Sequence, residues 1–109
     1  MRQSAFVKRS RMTETASAGI AAARSFLFVP GNRPERFEKA RASGADVVVL
    51  DLEDAVAPAD KDAARAHVHA WLVGGGWAMV RVNGIESSHH RDDLAMIADT
   101  EAAVMLPKA

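Results

Sequence analysis

From Ser25 onward, short apolar runs alternate with stretches that carry apolar residues every third or fourth position. Ser25-Phe-Leu-Phe-Val29 is an apolar run stopped by Pro30-Gly31, which predicts a buried strand. Pro34 suits the first position of a helix, predicted over Pro34–Ser43 with Gly44 as its stop. Asp46–Leu52 contains Val47-Val48-Val49-Leu50, apolar on both faces, as a strand covered on both sides requires. After Pro58, Asp60 can cap a helix from Lys61 to Val73, with Ala64, Val68, Trp71 and Leu72 on one face. Gly74-Gly75-Gly76 ends it. Trp77–Val82 predicts a third strand leading into Asn83-Gly84. Ser88 can cap a third helix with Leu94, Ile97 and Ala98 inward, and Ala102–Leu106 predicts a fourth strand.

This β-α-β-α-β-α-β order calls for right-handed crossovers and a parallel sheet. Two α/β architectures fit: a small doubly wound sheet, or part of a (β/α)₈ TIM barrel, which needs about 250 residues when whole. The pattern leaves both open. The fourth strand ends close to Ala109 with no helix after it, so an open sheet edge is expected and the chain reads as truncated.

Residues 1–23 differ from the rest. They are rich in Ala, Ser, Thr and Arg and show no apolar periodicity. Arg2, Lys8, Arg9, Arg11 and the adjoining Arg24 face Glu14 alone. A disordered basic leader is expected there, with the ordered domain over 24–109, and Met12 is an alternative start. Such an Arg/Ser-rich, acid-poor leader would also suit a mitochondrial transit peptide, the alternative to a cytoplasmic location. The 109 residues carry 14 basic and 14 acidic side chains, which removes any global electrostatic case for nucleic acid. The absence of cysteine excludes disulfides, thiolate metal sites and a Cys nucleophile. No run approaches the roughly 20 apolar residues of a membrane-spanning helix.

Ligands of either architecture bind at the C-terminal ends of the strands. Alternation places Val47, Val49, Asp51 and Glu53 on one face, opposite Val48, Leu50 and Leu52. It groups Met79 with Arg81 and Asn83, and Val104 with Leu106 and Lys108. Asp51, Glu53, Arg81 and Lys108 are therefore expected to meet at one mouth. An unpaired charge in a buried strand costs several kcal/mol, so Arg81 between two valines has one of two roles. It serves a substrate-anion site, or it pairs with a carboxylate that fills a barrel interior. Arg33, Arg36 and Lys39 near the start of the first helix suggest a phosphate or carboxylate cradle, although Glu35 and Glu38 among them also suit a solvated face. His89-His90 does not predict a metal site, because adjacent histidines point in different directions. The triple glycine precedes a strand, which is not the geometry of a phosphate loop. His67 and His69 are expected on a helix surface.

Four blocks carry a resemblance. They are Arg24-Ser-Phe-Leu-Phe-Val-Pro-Gly-Asn-Arg-Pro-Glu-Arg36; Gly44-Ala-Asp-Val-Val-Val-Leu-Asp-Leu-Glu-Asp-Ala-Val56 with Lys61 and Ala64-Arg65; Val80-Arg-Val-Asn83; and Met105-Leu-Pro-Lys108. Together they resemble the citrate lyase β-subunit and malyl-CoA lyase family, the acyl-CoA lyase branch of the HpcH/HpaI aldolase superfamily. The resemblance implies the first four βα units of a (β/α)₈ barrel, assembled as trimers or hexamers in the full-length protein. It implies Mg²⁺-dependent carbon–carbon cleavage of a 3-hydroxyacyl-CoA such as citryl-CoA or malyl-CoA, giving acetyl-CoA and an oxo acid. By the same resemblance Arg81 would bind the oxo-acid carboxylate, with Asp51 also at the substrate. Glu53 or Asp54 would hold Arg81 and metal-bound water. Phe28, Arg33 and Lys39 would contact coenzyme A. The family's two Mg²⁺-binding carboxylates lie on later strands, beyond Ala109, so no metal ligand is assigned within this sequence. The chain by itself is thus expected to be an inactive fragment.

Two other readings stand beside this one. A non-catalytic remnant would bind coenzyme A or a partner without turnover. In a signalling receiver domain Asp51 would be the phosphoacceptor at the end of its strand, but Pro30-Gly31-Asn32-Arg33 replaces the acidic pair such a domain needs.

Overall fold

The computed structural model describes residues 7–9 and 24–107. In chain order the elements are β1 (Val7–Arg9), β2 (Phe26–Pro30), α1 (Phe37–Arg41), β3 (Val47–Asp51), α2 (Lys61–Val73), β4 (Met79–Arg81), α3 (His90–Ile97) and β5 (Ala103–Met105). One sheet contains all five strands in the order β1-β5-β4-β3-β2. Strands β2 to β5 run parallel, joined by helical crossovers. No helix among the described residues is long and apolar enough to cross a membrane.

Strand β1 lies within the stretch expected to be a leader, and it pairs antiparallel with β5, Lys8 opposite Val104. The edge of β5 that was expected to stay open is therefore covered. The rest of the leader, with the start-site and transit-peptide readings, lies outside the described residues.

The two faces of the parallel sheet bury different sets. Leu50, Leu52, Val80, Val82 and Val104 pack with Ala64, Val68 and Ile97 of the helices. Val47, Val49, Met79, Ala103 and Met105 form the opposite cluster, with Trp77 against it. Register places Met105 beside Arg81 and Ala103 beside Met79. The face predicted for the fourth strand is thus reversed: Val104 and Leu106 belong with the helices, and Met105 shares the face of Arg81. Residues 102–106 are apolar throughout, so only pairing could decide which side faces which layer. Lys108 lies outside the described residues.

Helix α2 has its predicted bounds, but Asp60 makes no side-chain cap; a 3₁₀ turn over Pro58–Asp60 leads in instead. A similar turn over Pro34–Arg36 delays α1 until Phe37, whose ring meets Trp71 edge-on with centroids 5.8 Å apart. Gly44 follows α1 at φ 93°, a conformation that disfavours a side chain. Helix α3 begins at His90, so Ser88 does not cap it; the His89 N–H is bound by Ser87 Oγ. Ala98 is exposed rather than inward. Gly31 turns the chain off β2 over the end of β3, donating its N–H to Asp51 O at 2.8 Å. A Cβ there would meet that oxygen and Leu52 Cδ2 at 3.0 Å, so the close approach favours glycine.

Candidate functional site

Register makes Asp51 and Arg81 neighbours on β3 and β4. Arg81 donates from Nε to Asp51 Oδ1 at 3.0 Å and from Nη2 to Oδ2 at 2.7 Å, a two-point guanidinium–carboxylate pair. The same two oxygens accept the N–H groups of Glu53, at 2.8 Å, and Ala55, at 3.0 Å. Asp51 is 1% exposed. Burial works to raise its carboxyl, but the Arg81 hydrogen bond, the Glu53 amide, the Arg81 charge and the Ala55 amide outweigh it. Its pKa lies below the ordinary carboxylate value.

Arg81 keeps a window to solvent, with 18% of its side chain exposed. Its Cζ lies 5.0 Å from the centre of the Phe28 ring, a cation–π contact. Glu53 Oε1 stands 3.6 Å from Arg81 Nε. Burial raises the Glu53 carboxyl above its ordinary value, and the charges of Asp54 and Asp51 add to this while Arg81 opposes it. The Asp51 hydrogen bond pushes Arg81 further up, against its own burial. Among the described residues Nη1 has no hydrogen-bond partner, so one edge of the guanidinium remains available.

Asp51, Glu53 and Arg81 of the expected mouth do meet. Asp51, expected at the substrate, is buried, and both its oxygens accept hydrogen bonds from Arg81 and the following loop. The same burial counts against a phosphoacceptor Asp51. Asp54 was expected to share in holding Arg81, yet it is exposed and contributes only through its charge. Phe28, expected at coenzyme A, lays its ring on Arg81 and is still 37% exposed. The three cations of the expected cradle have different surroundings. Lys39 and Arg36 line a groove of about 370 Å³ beside Leu27 to Pro30 and Ser43, while exposed Arg33 is outside that lining and 4.0 Å from Glu35.

Behind the site lie buried polar residues, of which Asp93 was not singled out by the sequence pattern. Asn83, placed by alternation beside Arg81, turns inward and donates to Leu52 O at 3.0 Å and Asp93 Oδ2 at 2.6 Å. Asp93 is fully buried; it also accepts the Asn83 N–H at 2.8 Å and Arg65 Nη1 at 2.9 Å. Its signal was available: Asp93 lies four residues before buried Ile97, on the inward stripe of α3. Lys61 is buried at the start of α2. No group of three or more His, Asp or Glu among the described residues is arranged to hold a metal ion.

The sequence pattern of the HpcH/HpaI aldolase/citrate lyase family matches residues 24–109. The chain belongs to that family. An L-malyl-CoA/β-methylmalyl-CoA lyase of Cereibacter sphaeroides is 43% identical over 90 residues, covering 75% of this chain and 28% of the relative. The citrate lyase β subunit of Mycobacterium tuberculosis, solved with oxaloacetate and magnesium, is similar at TM-score 0.67 and 42% identity, over 77% of this chain and 38% of that one. CitE of the same organism, solved with magnesium, acetoacetate and coenzyme A, matches at TM-score 0.60 and 44% identity, over 71% of this chain and 29% of that one. The chain thus spans about a third of the length of these family members. Strands β2 to β5 with their helices correspond to part of the TIM-barrel-like citrate lyase β-subunit fold.

Proposed function

We propose that this chain carries the oxo-acid-binding portion of a carbon–carbon lyase acting on a 3-hydroxyacyl-CoA of the citryl-CoA or malyl-CoA type. The observation that carries the reading is Arg81: a guanidinium fixed by Asp51 on one edge and by Phe28 on one face, with Nη1 open. Such a group holds a carboxylate in one orientation without rearranging, as a preorganised contact should. Glu53 beside it adds negative charge, so the anion binds best when Glu53 is neutral or when a cation balances it.

Cleavage needs a base for the β-hydroxyl and stabilisation of a thioester enolate. The described residues do not form a magnesium site, because Asp51 is committed and Glu53 borders a guanidinium. What this chain's residues do is bind and orient the oxo acid at Arg81. The reading that Arg33 and Lys39 meet coenzyme A phosphates is supported for Lys39 by its place on the groove beside β2, which Arg36 also lines. The chain is expected to bind oxaloacetate by calorimetry in the presence of Mg²⁺, with about 10- to 100-fold weaker binding for Arg81→Ala. Equal affinity in both proteins would remove the reading.

A further inference from the structure

Lys61 is 7% exposed and carries its ammonium into the loop that follows β3. Its Nζ donates to Leu52 O and to Glu53 O, each at 2.8 Å. Among the described residues it forms no salt bridge with a carboxylate. A cation in the first turn of a helix opposes the helix dipole, and a buried ammonium needs compensation. The two carbonyls provide it, and they flank one residue. Leu52 O also accepts Asn83 Nδ2, and Leu52 N–H reaches Arg81 O at 2.9 Å. The Glu53 N–H is held by Asp51. The Glu53 backbone is therefore clamped at its N–H by a carboxylate and at both flanking carbonyls by Lys61.

We propose that Lys61 is a positioning residue for the Arg81 site. Its ammonium fixes the backbone of Glu53 so that the Glu53 carboxylate stands beside Arg81 Nε and the loop amides stay on Asp51. The relevance to an oxo-acid substrate rests on the function proposed above; the clamp itself does not.

The natural chain has no cysteine, so Lys61→Cys introduces a single thiol. Aminoethylation of that thiol in the unfolded chain, followed by refolding, rebuilds an ammonium of nearly the same length. Hydrogen exchange is then followed at the Glu53 and Ala55 amides and at Arg81 Nε–H, with the Leu50 and Val80 amides as internal controls. Lys61→Cys is expected to speed exchange at the first three about 10- to 100-fold, with the controls unchanged and the aminoethylated protein restored. Unchanged exchange at Glu53 and Ala55, or no restoration on aminoethylation, overturns the proposal. Should Lys61→Cys fail to fold, couplings across the hydrogen bonds from Lys61 Nζ to the carbonyl carbons of Leu52 and Glu53 in the natural chain decide it, their absence being contrary. A parallel oxaloacetate titration separates the two ideas. Loss of exchange protection without any oxaloacetate binding supports the clamp and contradicts the functional reading.

Discussion

Arg81 and Asp51 occupy paired positions on β4 and β3 and meet through two parallel hydrogen bonds of 3.0 and 2.7 Å. Removing either partner leaves the other without compensation. Asp51→Asn also weakens the two loop amide contacts. A loss of about 3 kcal/mol in unfolding free energy is expected for it by denaturant titration. Glu53→Gln, at a longer and more exposed contact, is expected to change stability by less than about 1 kcal/mol. Comparable losses in the two variants would contradict this assignment.

The same pair sets an acid limit. Asp51 has a lowered folded-state pKa, so its contribution is fully present above the unfolded aspartate value and is lost as pH falls through the folded one. Glu53 has the opposite sign: its raised folded-state pKa means that its contribution improves as pH falls from neutral through the folded value. Thermal unfolding of the natural chain and of Glu53→Gln at successive pH values checks this. The difference between them should narrow on mild acidification, while Asp51→Asn should flatten the steeper loss at lower pH.

Phe28 covers one face of the guanidinium. Phe28→Leu keeps an apolar side chain but removes the ring, and should lower stability by about 1 kcal/mol. The Arg81 side-chain proton signals should also lose their ring-current shift. Unaltered Arg81 signals would show that the ring does not lie there in solution.

Strand β1 covers the edge of β5 through backbone pairing. Lys8→Pro removes one N–H and should speed amide exchange in residues 103–105, with β3 unaffected. Exchange in β5 that ignores the substitution would mean that this edge is not paired.

The parallel strands were legible because Val47-Val48-Val49-Leu50 is apolar on both faces and the runs Phe26–Val29 and Ala102–Leu106 stop at Pro30 and Pro107. The bounds of α2 were legible from its 3.6-residue stripe. The face of β5 was not, since an all-apolar run has no polar side to mark it. Arg81 drew attention because a lone charge among valines demands a partner, and alternation pointed to the face that holds Asp51. What alternation could not give was the division of labour: which acid is buried against Arg81 depends on register and on the turn that brings the Glu53 and Ala55 amides back to Asp51. Asn83 and Asp93 follow the strand and the loop, where the two-residue rhythm no longer applies. Arg33 precedes the 3₁₀ turn over Pro34–Arg36, a break in the helix that the Pro34 signal did not reveal, while Lys39 lines the groove beside β2.

The most direct test of Arg81 as the anion-holding group is a titration of the ¹⁵N-labelled chain with oxaloacetate in the presence of Mg²⁺, observed at the arginine side-chain nitrogens. Saturable shifts of Arg81 Nε and Nη, with Arg33 unmoved, are predicted. No response at Arg81, or a response confined to the exposed arginines, would contradict the account.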